Sequence, residues 1–163
     1  MVVKYLTMVA LPFIIFSCTN EASLKQGDVL VCNAETLNKK ATKFKSNIEG
    51  VLLSGGAKQT NFKSRSGECS VYTIAKKAAF AFSVKLVNIP DDTFLKVSVW
   101  RKSKNGNGTL VASAQDPDNF YKATSRAVET DVNGWEKLEF KFYTIPFLPV
   151  SPSTVPLTIL NIS

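Results

Sequence analysis

WEKLEFKFYTI, residues 135–145, decides the fold class of this chain. Leu138, Phe140 and Phe142 alternate with Lys137, Glu139 and Lys141. In an extended chain, successive side chains point to opposite faces, so this period of two is that of a half-buried β-strand. Its charged face is what an antiparallel sheet with one solvated side allows. Asn133-Gly134, just ahead of it, marks a tight turn.

Working outward, AAFAFSVKLVNI at 78–89 repeats the pattern. Phe80, Phe82, Val84 and Leu86 share one parity, with Ser83 and Lys85 on the other. Ile89-Pro90-Asp91-Asp92 predicts a turn. TFLKVSVW at 93–100 follows, with Leu95, Val97 and Val99 on one side and Lys96, Ser98 and Trp100 on the other. RKSKNGNGT at 101–109 reads as a hairpin loop and TLVAS at 109–113 as the returning strand. AQDPDNFYKATSR at 114–126 reads as a long loop. IPFLPVSPSTVP at 145–156 is a proline-rich connection, and LTILNI at 157–162 a final strand. Before this core, VLVC at 29–32, VLLS at 51–54 and VYTI at 71–74 read as further strands, with Gly55-Gly56 as a stop. TLNKKATKFKSN at 36–47 reads as a lysine-rich loop or frayed edge. No stretch carries a long amphipathic helical period. Many short strands without βα alternation predict an all-β, jelly-roll-like antiparallel β-sandwich, burying Phe80, Phe82, Phe140 and Phe142 between two sheets.

The N-terminus carries a different signal. MVVKYLTMVALPFIIFSC has one early lysine, Lys4, and an apolar run over 5–16 ending at Ser17-Cys18. Twelve residues span about 18 Å as a helix, short of the roughly 30 Å hydrocarbon core of a bilayer. The segment therefore reads as a targeting sequence. A small residue followed by Cys resembles a bacterial lipoprotein signal, which implies lipidation of Cys18 as the first mature residue. The expected organisation is a signal peptide at 1–17, a lipidated N-terminus and tether at 18–28, and one β-sandwich domain at 29–163. The expected location is the bacterial cell envelope, lipid-anchored, with the outer membrane as the expected membrane.

Composition excludes several classes. The net charge of +7 comes from scattered lysines and three arginines, Arg65, Arg101 and Arg126. No basic stripe interleaves with stacking aromatics, so nucleic acid is not an expected partner. The positive balance suits anionic membrane surfaces or acidic glycans, though a generic soluble surface explains it as well. The chain has no histidine. That removes Ser-His-Asp and Cys-His hydrolysis and the common zinc sets. Carboxylates at Asp91, Asp92, Asp116, Asp118, Glu129 and Asp131 pair with no nucleophile in a specific motif, and the chain reads as no enzyme, with no cofactor and no metal. Cys32 and Cys69 are either a disulfide, at about 4 kcal/mol on the chain-entropy estimate, or separate thiols.

SGGAKQTNFKSRSGECSVYT (54–73), AFSVKLVNIPDDTFLKVSVWRKSKNGNGTLVAS (81–113) and NGWEKLEFKFYTIP (133–146) resemble jelly-roll domains of the carbohydrate-binding, galactose-binding-like type. Such modules occur in lipid-anchored proteins of Bacteroidetes-type bacteria. The matching elements are Ser66-Gly67, the strand ending at Trp100 and the strand beginning at Trp135. Glu68 and Cys69 depart from the usual residues after Ser-Gly. The family's closing strand with adjacent aspartates has no counterpart, so the domain reads as C-terminally incomplete. In relatives, those aspartates and an early acidic residue hold a structural calcium. Glu35 is the loose match for the early acid, and its partner is missing. The resemblance implies recognition without catalysis, of an envelope protein or of a glycan. Trp100, Tyr121, Trp135 and Tyr143 are candidate sugar platforms, with Asn105, Asn107, Asp116, Asp118 and Asn119 as hydroxyl partners. The plainer alternative for both tryptophans is packing at the sheet edge and core end.

Overall fold

A computed structural model describes residues 21–54, 58–73, 80–144 and 157–162. The leader 1–17, Cys18, Gly55-Gly56 and the connection 145–156 lie outside the described residues. Those described form an all-β domain of twelve strands. Five make a mixed sheet in the order β1 (Glu21–Ser23), β6 (Phe80–Val87), β12 (Leu157–Ile162), β8 (Thr109–Ser113), β9 (Tyr121–Thr124). Three make an antiparallel sheet in the order β10 (Ala127–Thr130), β11 (Glu136–Tyr143), β7 (Phe94–Arg101). β2 (Phe44–Lys45) pairs with β3 (Leu52–Leu53), and β4 (Lys58–Thr60) with β5 (Ser70–Tyr72).

The two larger sheets share one core in a sandwich-like arrangement. Val84, Leu86, Leu110 and Ala112 from the first meet Val97, Leu138, Phe140 and Phe142 from the second. Leu86, Leu110 and Leu138 are fully enclosed, each contributing about 1.5–3 kcal/mol. β11 and β7 pair along their whole length, from Glu136↔Arg101 to Tyr143↔Phe94. The alternation in WEKLEFKFYTI thus maps directly onto an inner apolar and an outer charged face. Arg101 is the exception on the inner face. It is buried, and its guanidinium donates to Glu136 Oε2 at 2.8 Å, Gly108 O at 2.5 Å and Ser125 O at 2.8 Å. Every arm of the fork has a partner, which offsets the cost of burying the charge.

Phe80 does not join the core. It is 42% exposed, Phe82 is half-buried, and Ala81 is buried in its place. The reason is a bulge in β6. Against β12, Ser83 pairs with Leu160 but Phe80 with Ile162, so β6 carries one residue more than its partner. One extra residue reverses the facing of everything beyond it. Phe82 instead packs edge-on against Phe44, ring centres 5.4 Å apart.

Other segments also differ from the sequence reading, which named no strand at Lys58–Thr60 or Ala127–Thr130. VLVC at 29–32 makes no strand, and Val29 and Val31 are exposed. Asn47 takes the role of a neighbouring strand. Its Oδ1 accepts from Val31 N at 2.6 Å, its Nδ2 donates to Val29 O at 2.8 Å, and its own N–H donates to Val31 O at 2.9 Å. The segment 114–126 is not wholly loop, because Tyr121–Thr124 forms edge strand β9 against β8. The stretch 18–28, read as a tether, includes β1, which runs parallel to β6 with Glu21↔Lys85.

Strand directions sort the loops into two ends. β1, β6, β8 and β11 run one way, taken as upward, and β7, β9, β10 and β12 run down. Loops 24–28, 88–93 and 114–120 lie at the upper end. Loops 102–108 and 131–135 lie at the lower end. β3 bridges antiparallel to β6 at Ser54↔Ser83, and Leu37 bridges antiparallel to Phe44, which directs the hairpin tip 38–43 downward as well.

Candidate functional site

The outer face of β7 and β11 gathers the residues with most recognition chemistry. From the register, Trp100 lies beside Lys137, Ser98 beside Glu139, Lys96 beside Lys141, and Phe94 beside Tyr143. The half-buried Trp100 ring is covered: the Arg65 guanidinium sits 3.5 Å from its centre, and Lys137 Nζ 6.0 Å away. Arg65 is held in turn by Asp131, at 3.4 Å. Stacking of this kind is worth about 0.5–2 kcal/mol. A sugar ring would have to displace Arg65 to use that face.

Next along the face, Glu139 Oε2 lies 3.2 Å from both Lys96 and Lys137. Burial alone would push its carboxyl up, but the two ammonium groups outweigh that and hold it below the usual range. Lys137 also reaches Glu129, at 3.8 Å. At the upper end of the same face, Phe94 and Tyr143 are both exposed, with ring centres 5.1 Å apart. Phe94 was not singled out in the sequence. Its cross-strand pairing with Tyr143 follows only from the register.

The predicted ligand residues do not converge on one place. A broad cleft of about 2410 Å³ between β6 and β7 is lined at its lower end by Trp100, Trp135 and Asn107. Asn105 is exposed in the same lower loop, 102–108. Tyr121, Asp118 and Asn119 are exposed at the upper end. The five residues of β8 between these ends span roughly 14 Å. Typical small-molecule pockets are nearer 300–1,000 Å³, so the cleft's size does not select a ligand.

Most of the loop acids have local work. Asp116 Oδ1 accepts from Asp118 N at 3.1 Å, closing a turn. Asp131 Oδ1 accepts from Asn133 N and Trp135 N, each at 2.9 Å, which fixes the turn into β11 and half-buries Trp135. Glu35, the loose match for a calcium ligand, is likewise committed. Its Oε1 accepts from Glu68 N and Cys69 N at 3.1 Å each, and Gln59 Nε2 donates to Ala34 O and Glu35 O. Gly67, at φ +67°, lies so close that a Cβ there would overlap the Glu35 carboxylate. The Ser66-Gly67 element is therefore a clasp between two loops. Among the described residues, no group of three or more His, Cys, Asp and Glu side chains is arranged to hold a metal ion, so these residues do not fit the calcium site of the resembled family.

Cys32 and Cys69 are free thiols, both half-buried. Burial pushes the Cys32 thiol up. Desolvation, Glu35 and Glu68 do the same to Cys69. Cys18 lies outside the described residues.

No family model, no curated protein and no solved structure matches the chain.

Proposed function

We propose that this chain is a lipid-anchored, non-catalytic protein of the bacterial cell envelope, with the outer membrane as its membrane. Its jelly-roll-like sandwich serves as a recognition or structural module. One observation carries the reading: an apolar run closes on Ser17-Cys18, and the first strand of an all-β domain begins at Glu21. A lipid on Cys18 would hold the folded domain close to the bilayer. The non-catalytic part rests on the lack of histidine and on acids engaged in turns, clasps and ion pairs.

Mass spectrometry of the protein isolated from its own membrane tests this. The expected N-terminal peptide starts at Cys18 and carries diacylglycerol on its sulfur. A mature N-terminus elsewhere, or an unmodified Cys18, would sink the anchored reading.

A second reading, a carbohydrate-binding module, is favoured by the shared lining of the cleft by Trp100, Trp135 and Asn107 and by the exposed Phe94–Tyr143 pair. Titrating soluble neutral polysaccharides should then shift tryptophan emission in the wild-type chain. The shift should vanish in Trp100→Ala if the lower end of the cleft is the platform. No shift with any glycan removes this reading.

A further inference from the structure

Among the described residues, β7 pairs with β11 alone, so its other side is a free sheet edge. Proteins usually blunt such edges with a bulge, a proline, a free charge or a very short strand. β10, the opposite edge of the same sheet, carries a bulge between Ala127 and Glu129. The edges of the larger sheet, β1 and β9, are short. β7 has none of these devices. Its eight residues keep an unbroken register with β11, and its exposed cation, Lys96, is held by Glu139 at 3.2 Å.

The ladder decides which backbone groups the edge offers. Thr144 N donates to Thr93 O at 3.0 Å, one step beyond the pair Phe94↔Tyr143. Hydrogen-bonded and non-hydrogen-bonded pairs alternate along an antiparallel ladder. Leu95, Val97 and Val99 therefore bond β11, while Phe94, Lys96, Ser98 and Trp100 turn their N–H and C=O groups the other way. That way lies the cleft, which all of β7 lines together with Ala81, Phe82, Val84 and Leu86 of β6. Its size selects no ligand, but its wall does: a row of donors and acceptors at strand spacing is completed by another strand.

The apolar surface of the domain gathers at the same place. Of the ten exposed large hydrophobics among the described residues, Val29, Val31, Phe62, Tyr72, Phe94 and Tyr143 line the cleft. Concentration of this kind marks an interaction site, where scattered single residues would not. Charge gives the cleft a direction. Its upper rim carries Asp28, Asp91 and Asp92 against Lys25, and its lower rim carries Lys102 and Lys104, all exposed. The eight residues of β7 span roughly 26 Å, several times the screening length of about 8 Å at physiological salt. A bound chain meets the two rims independently.

We propose that the free edge of β7 takes an extended segment of a partner protein as an added strand, antiparallel to β7. Since β7 runs downward, that segment runs upward. It carries acidic residues at its N-terminal end, against Lys102 and Lys104, and basic residues at its C-terminal end, against the aspartates. Between them, alternate residues are apolar and face the floor at Leu86 and Leu110. Arg65 keeps its place over Trp100, because the added strand meets the backbone of that residue and not its ring. The inference rests on the recognition part of the proposed function, to which it gives a partner class, and is independent of the lipid on Cys18.

The test uses the full chain in detergent and a labelled synthetic peptide. The peptide opens on aspartates, alternates valine with threonine, and closes on lysines. A second peptide has the two charged ends exchanged. Binding is read by fluorescence anisotropy, and amide exchange residue by residue by NMR. In the free chain, the amides of Lys96, Ser98 and Trp100 should exchange fast and those of Leu95, Val97 and Val99 slowly. The first peptide should slow the fast set by about ten-fold or more. N-methylation of its edge-facing amides should weaken binding by about ten-fold, and Lys104→Glu should narrow its advantage over the second peptide. Tighter binding of the second peptide, or binding that leaves the three amides fast, would overturn the proposal. Slow exchange there without peptide would overturn it too: the edge is then covered by the chain itself, or by a second copy if the protection grows with protein concentration. Failure of both peptides alongside a glycan-induced shift in tryptophan emission sinks the added strand alone and leaves recognition standing.

Discussion

The Arg65 guanidinium lies 3.5 Å from the centre of the Trp100 ring and is pinned there by Asp131. This pairing ties the β4–β5 hairpin to the outer face of β7, and it shields the tryptophan. Arg65→Ala should expose the ring. The expected result is stronger acrylamide quenching of tryptophan emission, with stability lowered by about 0.5–2 kcal/mol. If quenching does not change, the ring is not covered in solution. Should the carbohydrate reading hold, the same variant would also bind glycan more tightly, because the competing cation is gone.

Gly67 and Glu35 form a second linked pair. Gly67→Ala places a side chain at positive φ and against the carboxylate, for an expected loss of about 1–3 kcal/mol. Glu35→Ala removes two charge-assisted hydrogen bonds and should lose about 1–3 kcal/mol. The double variant should lose less than the sum by at least about 0.5 kcal/mol, because removing the carboxylate relieves the overlap. Strict additivity in denaturant melts would contradict the clasp.

Both pairs show where sequence reading stops. The strong strands β6, β7 and β11 are legible because apolar and polar residues alternate along most of each between clear turns, and TLVAS and LTILNI are legible as short apolar runs that follow turn-rich segments. β9 is not, since YKAT is an edge strand with little apolar content and is held by the ladder to β8 rather than by burial. VLVC misleads in the other direction. It has a strand's composition, yet its backbone groups are taken by the Asn47 side chain. Phe80 points outward because of one extra residue in β6, which no alternation pattern reveals. The candidate ligand residues fail to converge for a topological reason. Asn107 and Asp118 sit at opposite ends of β8, and sequence distance does not carry that information.

Glu139 gives the outer face a pH dependence. Its carboxyl is held low in the folded state by Lys137 and Lys96 against the opposing effect of burial. A depressed folded pKa means the unfolded chain binds the proton more readily. The contribution is therefore complete above the unfolded carboxylate range and is lost as pH falls through the lower folded value. Glu139→Gln should lower the melting temperature most at neutral pH, with the difference from wild type closing as pH falls, so that the acid limb of the melting curve against pH is flatter. An identical acid limb would show that the network does not hold Glu139 ionised.

The thiols provide a direct check on the core. Cys32 and Cys69 are free, and both are held protonated above the ordinary thiol range. At mildly alkaline pH the folded chain should alkylate slowly at both positions. In denaturant without reductant, both should label fully. A need for reductant before either labels would mean the two are paired.

The account turns on Cys18. Metabolic labelling with a fatty acid analogue, compared between the wild-type chain and Cys18→Ser in the same cells, tests it most directly. The prediction is strong labelling of the wild type, none of the variant, and a mature chain that begins at Cys18. Equal labelling of the two, or no label on the wild type, would contradict the lipid anchor.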